Sequence, residues 1–141
     1  MKVMFDTNVY ISFIRNNVHE DVLQQRGTIK YISAIVLMEL WAGARTRKAE
    51  RLLAQLQRPY MDAGRIVTLQ ADHYIKIGNI YSALPTEYME LRKKADFIND
   101  VQIAMTALSI GATLYTENVT HFAIIKSRLN QLKVSYLTPS S

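Results

Sequence analysis

The chain has no cysteine. That absence excludes disulfides and thiolate-bound metal centres and agrees with a cytoplasmic protein. Long apolar runs are missing too: the longest nearly apolar stretch, residues 32–44, is interrupted by Glu39 and is too short to span a bilayer. The first residues enter "KVMFD" directly, so the basic, apolar and small-residue order of a signal peptide is not expected. Neither familiar Gly-rich phosphate loop occurs, and there is no "GxSxG". His19, His73 and His121 are isolated, with no two at the helical spacing of metal ligands, and each reads as surface or structural. Phosphatases that form an aspartyl-phosphate carry a second Asp two positions after the first, where this chain has Asn8. With no repeat, low-complexity segment or linker, residues 1–141 are expected to form one domain.

What is present suits a soluble globular protein, with 49% hydrophobic and 21% charged residues. The net charge of +5 favours anionic partners, nucleic acid above all. The charge is gathered in two places: Arg45, Arg47, Lys48 and Arg51 in one stretch, and Arg92, Lys93 and Lys94 in another. A solvated helix face is the ordinary account of such a cluster. Arg45, Arg47, Lys48 and Arg92 are also candidates for contacts to an RNA backbone.

Short apolar segments alternate with longer helical ones. "KVMF", "KYIS", "RIVTL", "TLYT" and "SYL" read as strands. Helices are expected over residues 9–14, capped by Thr7 or Asn8; over 34–56, capped by Ser33; over 71–84, closed by Pro85; over 90–110, stopped by Gly111; and over 120–132. Pro59 and Gly64 read as loop punctuation. This alternation predicts an α/β architecture, a mostly parallel central sheet with helices on both faces. Ligands bind such sheets beyond the carboxyl ends of the strands. Asp6 stands at that end of the first strand, and Thr116, Glu117 and Asn118 just past the same end of the fourth.

Two more acids stand where a core should be. Glu39 is the one polar residue in "AIVLMELWAGA", so its carboxylate is expected to be enclosed and to need a partner such as Arg45 or Arg47, a proton or a metal. In the 90–110 helix, Asn99, Gln102, Thr106 and Ser109 form a wet face. Asp100 falls opposite, with Phe97, Val101 and Ile103, and Asp96 lies one turn earlier near the edge of that side. Asp96 also suits the dipole of the first turns. Three carboxylates gathered without a cation would repel and take up protons, whereas Mg²⁺ or Mn²⁺ accepts oxygen ligands and retains waters. An acidic crevice with basic flanks points to metal-assisted hydrolysis of a phosphodiester, by one ion or by two roughly 4 Å apart.

"FDTNVYI", "ISAIVLMELWAG" and "NDVQIAMTALSIGATLYTENVTHF", in that order, resemble a PIN domain, and specifically the VapC-type toxins of toxin–antitoxin pairs. The resemblance spans nearly the whole chain. It implies a three-layer, PIN-like sandwich and a Mg²⁺- or Mn²⁺-dependent endoribonuclease. By position it makes Asp6, Glu39 and Asp100 the metal-binding and catalytic acids. Asn118 takes the place of a fourth acid, a corner that Glu117 or Asp96 would have to fill, and His121 stands where "DF" is common. Thr7, Asn8 and Thr116 would hold acids, waters or the loop in place. The family further implies RNA as substrate, a homodimer and a cognate VapB-like antitoxin. Two other readings stay open: a PIN-like RNase of ordinary RNA processing, and a catalytically weak domain that binds RNA or protein.

Overall fold

A computed structural model describes residues 1–139 of the chain. Five strands, β1 (Lys2–Phe5), β2 (Ile29–Ser33), β3 (Ile66–Val67), β4 (Thr113–Thr116) and β5 (Lys133–Tyr136), form one sheet in the order β3-β2-β1-β4-β5. Every pairing is parallel, with Val3 opposite Lys30 on one side and Thr113 on the other. A strand covered on both faces needs apolar residues at successive positions. Val3, Met4 and Phe5 meet that need and are fully buried at the centre of the sheet.

The connections are helical: α1 (Thr7–Asn16), α2 (Glu20–Leu23), α3 (Ala34–Ala42), α4 (Arg47–Asp62), α5 (Ala71–Ser82), α6 (Met89–Arg92), α7 (Ala95–Ser109) and α8 (Val119–Arg128). Helix α7 packs against α5, α6 and α8, while α3 touches α1, α4 and α7. Phe5 meets Tyr10 of α1 edge to face, and the Tyr10 hydroxyl, deep in the core, bonds the Tyr60 hydroxyl of α4 at 2.8 Å. No helix among the described residues is long and apolar enough to cross a membrane.

The order of the strands positions the site. Successive connections step from β1 to β2 to β3, then return across the sheet to β4 on the other side of β1. The chain therefore diverges between β1 and β4, and such a divergence opens a crevice at the carboxyl edge. Asp6 stands there, its N–H bonded to the Tyr115 carbonyl at 2.9 Å.

Several boundaries differ from the sequence expectation. The expected 34–56 helix is two helices. Gly43 ends α3, and Thr46 starts α4 by accepting the Ala49 N–H at 3.1 Å, a cap strong enough to begin a new helix. Pro59 lies inside α4 near its exposed end, giving up one helical bond, and Gly64, at φ +66°, makes the turn after it. The expected 90–110 helix breaks where Lys94 turns extended, although neither Gly nor Pro marks the place. Gly111, at φ +68°, does follow the end of α7. "RIVTL" pairs only through Ile66 and Val67, as an edge strand. Helix α1 is capped by Asp6 rather than by Thr7 or Asn8.

Candidate active site

Asp6 comes directly from β1, and because its backbone stays extended its side chain can cap α1. Oδ1 accepts the Thr7 N–H at 2.7 Å. Oδ2 accepts the Thr116 hydroxyl at 2.7 Å and the Asn8 amide at 3.2 Å. With 3% of its surface exposed, the carboxyl is pushed up to about 6, first by burial and then by Glu39 and Glu117, against the pull of the Thr116 and Thr7 bonds.

Asp100 projects from the buried side of α7, as the helical periodicity predicts, and is 8% exposed. Its Oδ2 lies 2.6 Å from His121 Nδ1 and 3.4 Å from the Asn118 amide nitrogen. Burial first, then Asp6, Glu39 and Asp96, push the Asp100 carboxyl up to about 8, while desolvation pushes His121 down. Asp100 and His121 thus meet in one short hydrogen bond, which burial biases toward the neutral forms of both.

Glu39 joins them from α3 but is only half-buried. The expectation of an enclosed carboxylate fails because α3 lies with one flank open: it buries Val36 and Leu40 but leaves Met38 and Trp41 exposed. Neither Arg45 nor Arg47 is the partner. Glu39 accepts the Thr7 hydroxyl at 2.6 Å and the Asn99 amide at 3.3 Å. Thr7 thus ties Asp6 to Glu39, its N–H on the first and its hydroxyl on the second.

The β4–α8 junction closes the crevice. Thr116 is fully buried, and its Oγ accepts the Asn118 N–H at 3.0 Å. Asn118 caps α8 by accepting the His121 N–H at 3.0 Å, which leaves its NH₂ to face Asp100. Glu117 does not fill the corner that Asn118 leaves. Glu117 points away along α1, where its Oε2 accepts Ser12 Oγ at 2.7 Å and lies 2.6 Å from His19 Nε2. Asp96, exposed in the first turn of α7, stays near enough for its charge to act on both Asp100 and His121. Arg45, Arg47 and Lys48 are exposed, and Arg92 lies against the Tyr81 ring, 6.0 Å from its centroid. Among the described residues none of these cations pairs with an acid of the crevice.

Sequence reasoning missed His121, His19, Ser12 and Asn99. An Asn at a helix cap draws the residue three positions on to the same end, a signal that could have brought His121 to Asp100. Asn99 belongs to the expected wet face of α7, but that face meets Glu39 rather than open water. Thr106 of the same face is buried and bonds the Gln102 carbonyl at 2.7 Å.

Among the described residues no three acidic or imidazole side chains converge closely enough to enclose an ion by themselves. The donors are carboxylate oxygens that no Lys or Arg neutralises among the described residues, and both buried carboxyls hold protons above their ordinary range. Such a set fits a hard divalent cation that takes one or two carboxylates and keeps several waters.

Comparison with known proteins adds three findings. The family model for the PIN domain matches residues 3–124. No curated protein matches the chain. Solved structures do. VapBC2 from Rickettsia felis, bound to a DNA fragment from their promoter, shares 26% identity at a TM-score of 0.62, covering 97% of this chain and 99% of that one. VapBC-1 from nontypeable Haemophilus influenzae and DNA-bound VapBC from Salmonella typhimurium each share 26% identity at a TM-score of 0.65, covering 96% of this chain and 98% of theirs.

Proposed function

Because the chain belongs to the PIN domain family, we propose that it is a metal-dependent endoribonuclease and the toxin of a toxin–antitoxin pair. The observation that carries this reading is that Asp6 and Glu39, linked through Thr7, lie near enough to Asp100 at the β1/β4 divergence to raise its carboxyl, while among the described residues no Lys or Arg pairs with any of the three. The VapBC likeness supports a VapB-like antitoxin as partner, and the same reading takes the protein to be a homodimer that acts on RNA in the cytoplasm.

Asp6 and Asp100 would hold Mg²⁺ or Mn²⁺, with Glu39 joining directly or through a water. The ion would supply positive charge to a phosphoryl oxygen and acidify a water. The chain's own residues do the rest. Thr116 and the Thr7 N–H fix Asp6, while Thr7 Oγ aims Glu39 at the same space. Glu39, the most open of the three acids, is placed to take a proton from an attacking water. Arg45, Arg47, Lys48 and Arg92, free of crevice acids, would hold the RNA backbone at the flanks. Such positioning leaves little further work for the protein in phosphoryl chemistry.

The test is incubation of antitoxin-free protein with total cellular RNA and Mg²⁺ or Mn²⁺, beside Asp6→Asn and EDTA controls. Discrete fragments that vanish in both controls are expected, and their ends would name the target RNA. Intact RNA from folded protein that takes up no metal by calorimetry would overturn the catalytic reading in favour of a binding domain.

A further inference from the structure

The wall of the crevice built by the β4–α8 junction presents no free carboxylate. Its acid, Glu117, is turned away and held by Ser12 and His19. In its place the wall offers the Thr116 hydroxyl, the Asn118 amide and the His121 imidazole. The last two approach one and the same atom, Oδ2 of Asp100, at 3.4 and 2.6 Å. The imidazole is itself fixed from two sides. Its backbone N–H bonds the Asn118 cap at 3.0 Å, and its ring meets Phe97 edge to face, centroids 5.3 Å apart at 81°.

Resting on the reading of this crevice as a metal site, we propose that His121 is the positioning residue for Asp100 and that the crevice takes one divalent cation, not two, when RNA is absent. Held by Oδ2, Asp100 offers the crevice Oδ1. Asp6 is held still more firmly, with a donor on Oδ1 and two on Oδ2. A pair of ions roughly 4 Å apart needs carboxylates that bridge them or acids on facing walls. Here the inward acids come from the end of β1, from α3 and from α7, Asp96 stands exposed one turn before Asp100, and the facing wall carries no acid. One ion fits the donors that remain, with waters completing its shell.

Mn²⁺ provides the probe, followed by calorimetry and by its electron spin resonance. The wild-type protein is expected to bind one ion. Partners that orient a ligand typically contribute roughly 10–100-fold to metal affinity, so His121→Ala should weaken binding within that range while its melting temperature stays close to wild type. His121→Asn should restore most of the loss, because its amide nitrogen takes the place of Nδ1; His121→Gln, a bond longer, should not. Asn118→Asp keeps the α8 cap, since Asp caps as well as Asn, and supplies the missing facing acid. It should bind a second Mn²⁺ and give a spin-coupled spectrum.

Two ions in the wild type, wild-type affinity in His121→Ala, or no second ion in Asn118→Asp would each overturn the proposal. So would a loss in His121→Ala that follows its melting temperature and is not rescued by Asn. A wild-type protein that binds no Mn²⁺ would overturn the functional reading itself, and this proposal with it.

Discussion

Asn8 lies between two acids that the fold treats in opposite ways. Its NH₂ donates to Asp6 at 3.2 Å, and its side-chain oxygen accepts the backbone N–H of Glu117 at 3.2 Å. The Glu117 carboxylate has the His19 imidazole at 2.6 Å and the Ser12 hydroxyl at 2.7 Å, a private partner for a largely buried group. Asp6 receives only neutral donors, and its charged neighbours are more carboxylates. A buried acid in a supporting position is given its counter-group within the chain, because an unpaired buried charge costs several kcal/mol. Asp6 is given none, and Asp100 has one imidazole, His121 at 2.6 Å, while Asp6 and Glu39 press on it, so the crevice holds more carboxyl groups than counter-groups.

Substitution on the two sides should therefore separate chemistry from folding. The largest effect belongs to Asp6→Asn and Asp100→Asn: loss of RNA cleavage by at least ~100-fold, with metal uptake lost in parallel and the metal-free protein no less stable. Wild-type levels of cleavage in Asp6→Asn would break the comparison outright. On the other side, leaving a buried acceptor without one of its donors costs roughly 1–3 kcal/mol. His19→Ala should lower stability toward the bottom of that range in urea melts, with cleavage per folded molecule within a few-fold of wild type.

The next prediction concerns pH. In the folded chain Asp6 stands at about 6 and Asp100 at about 8, both above the ordinary 3.8. A carboxyl raised by folding binds its proton more tightly in the native state, so its contribution is complete below pH 4 and is lost as pH rises through 6 and 8. For Asp6 alone the loss is on the order of 2–3 kcal/mol. Melts in EDTA from pH 4 to 9 should show falling stability, and Mg²⁺ should recover most of it at the upper end. A flat profile in EDTA would sharpen the comparison against us, by showing the crevice acids to be as well satisfied as Glu117. The smallest effect is at the flanks. Arg47→Ala or Arg92→Ala should weaken RNA binding a few-fold and lower the salt slope by about one unit each.

How far the sequence revealed this molecule depends on what each residue meets. The strands and Asp6 at the carboxyl end of the first were legible because a short apolar run closed by polar residues has few other uses. Asp100 was legible because helical periodicity names a face without reference to anything else. Glu39 was found, but its enclosure was misjudged. An apolar helix can leave a flank open, and composition does not say which. The partners were the least legible. His121 reaches Asp100 and His19 reaches Glu117 across 21 and 98 residues of chain, and no local pattern encodes a contact between distant elements. The break at 43–46 was marked locally, by Gly43 and the Thr46 cap, and was overridden by the apolar run around it, whereas the break at 93–94 carries neither Gly nor Pro to announce it.

Asp6 both caps α1 and forms the floor of the crevice, and if the chain is the toxin proposed above, this ties its inactivation to its survival as a protein. Among variants selected for loss of toxicity, changes at Asp6 to Ala or to a larger apolar residue also remove a helix cap worth ~1 kcal/mol. Such variants should accumulate poorly. Changes at Asp100, well inside α7, spare every cap and should yield inactive protein at full abundance, still able to occupy the antitoxin. Two lesions equal in chemistry would then differ in their effect on the cell, one clearing the toxin and the other turning it into a decoy.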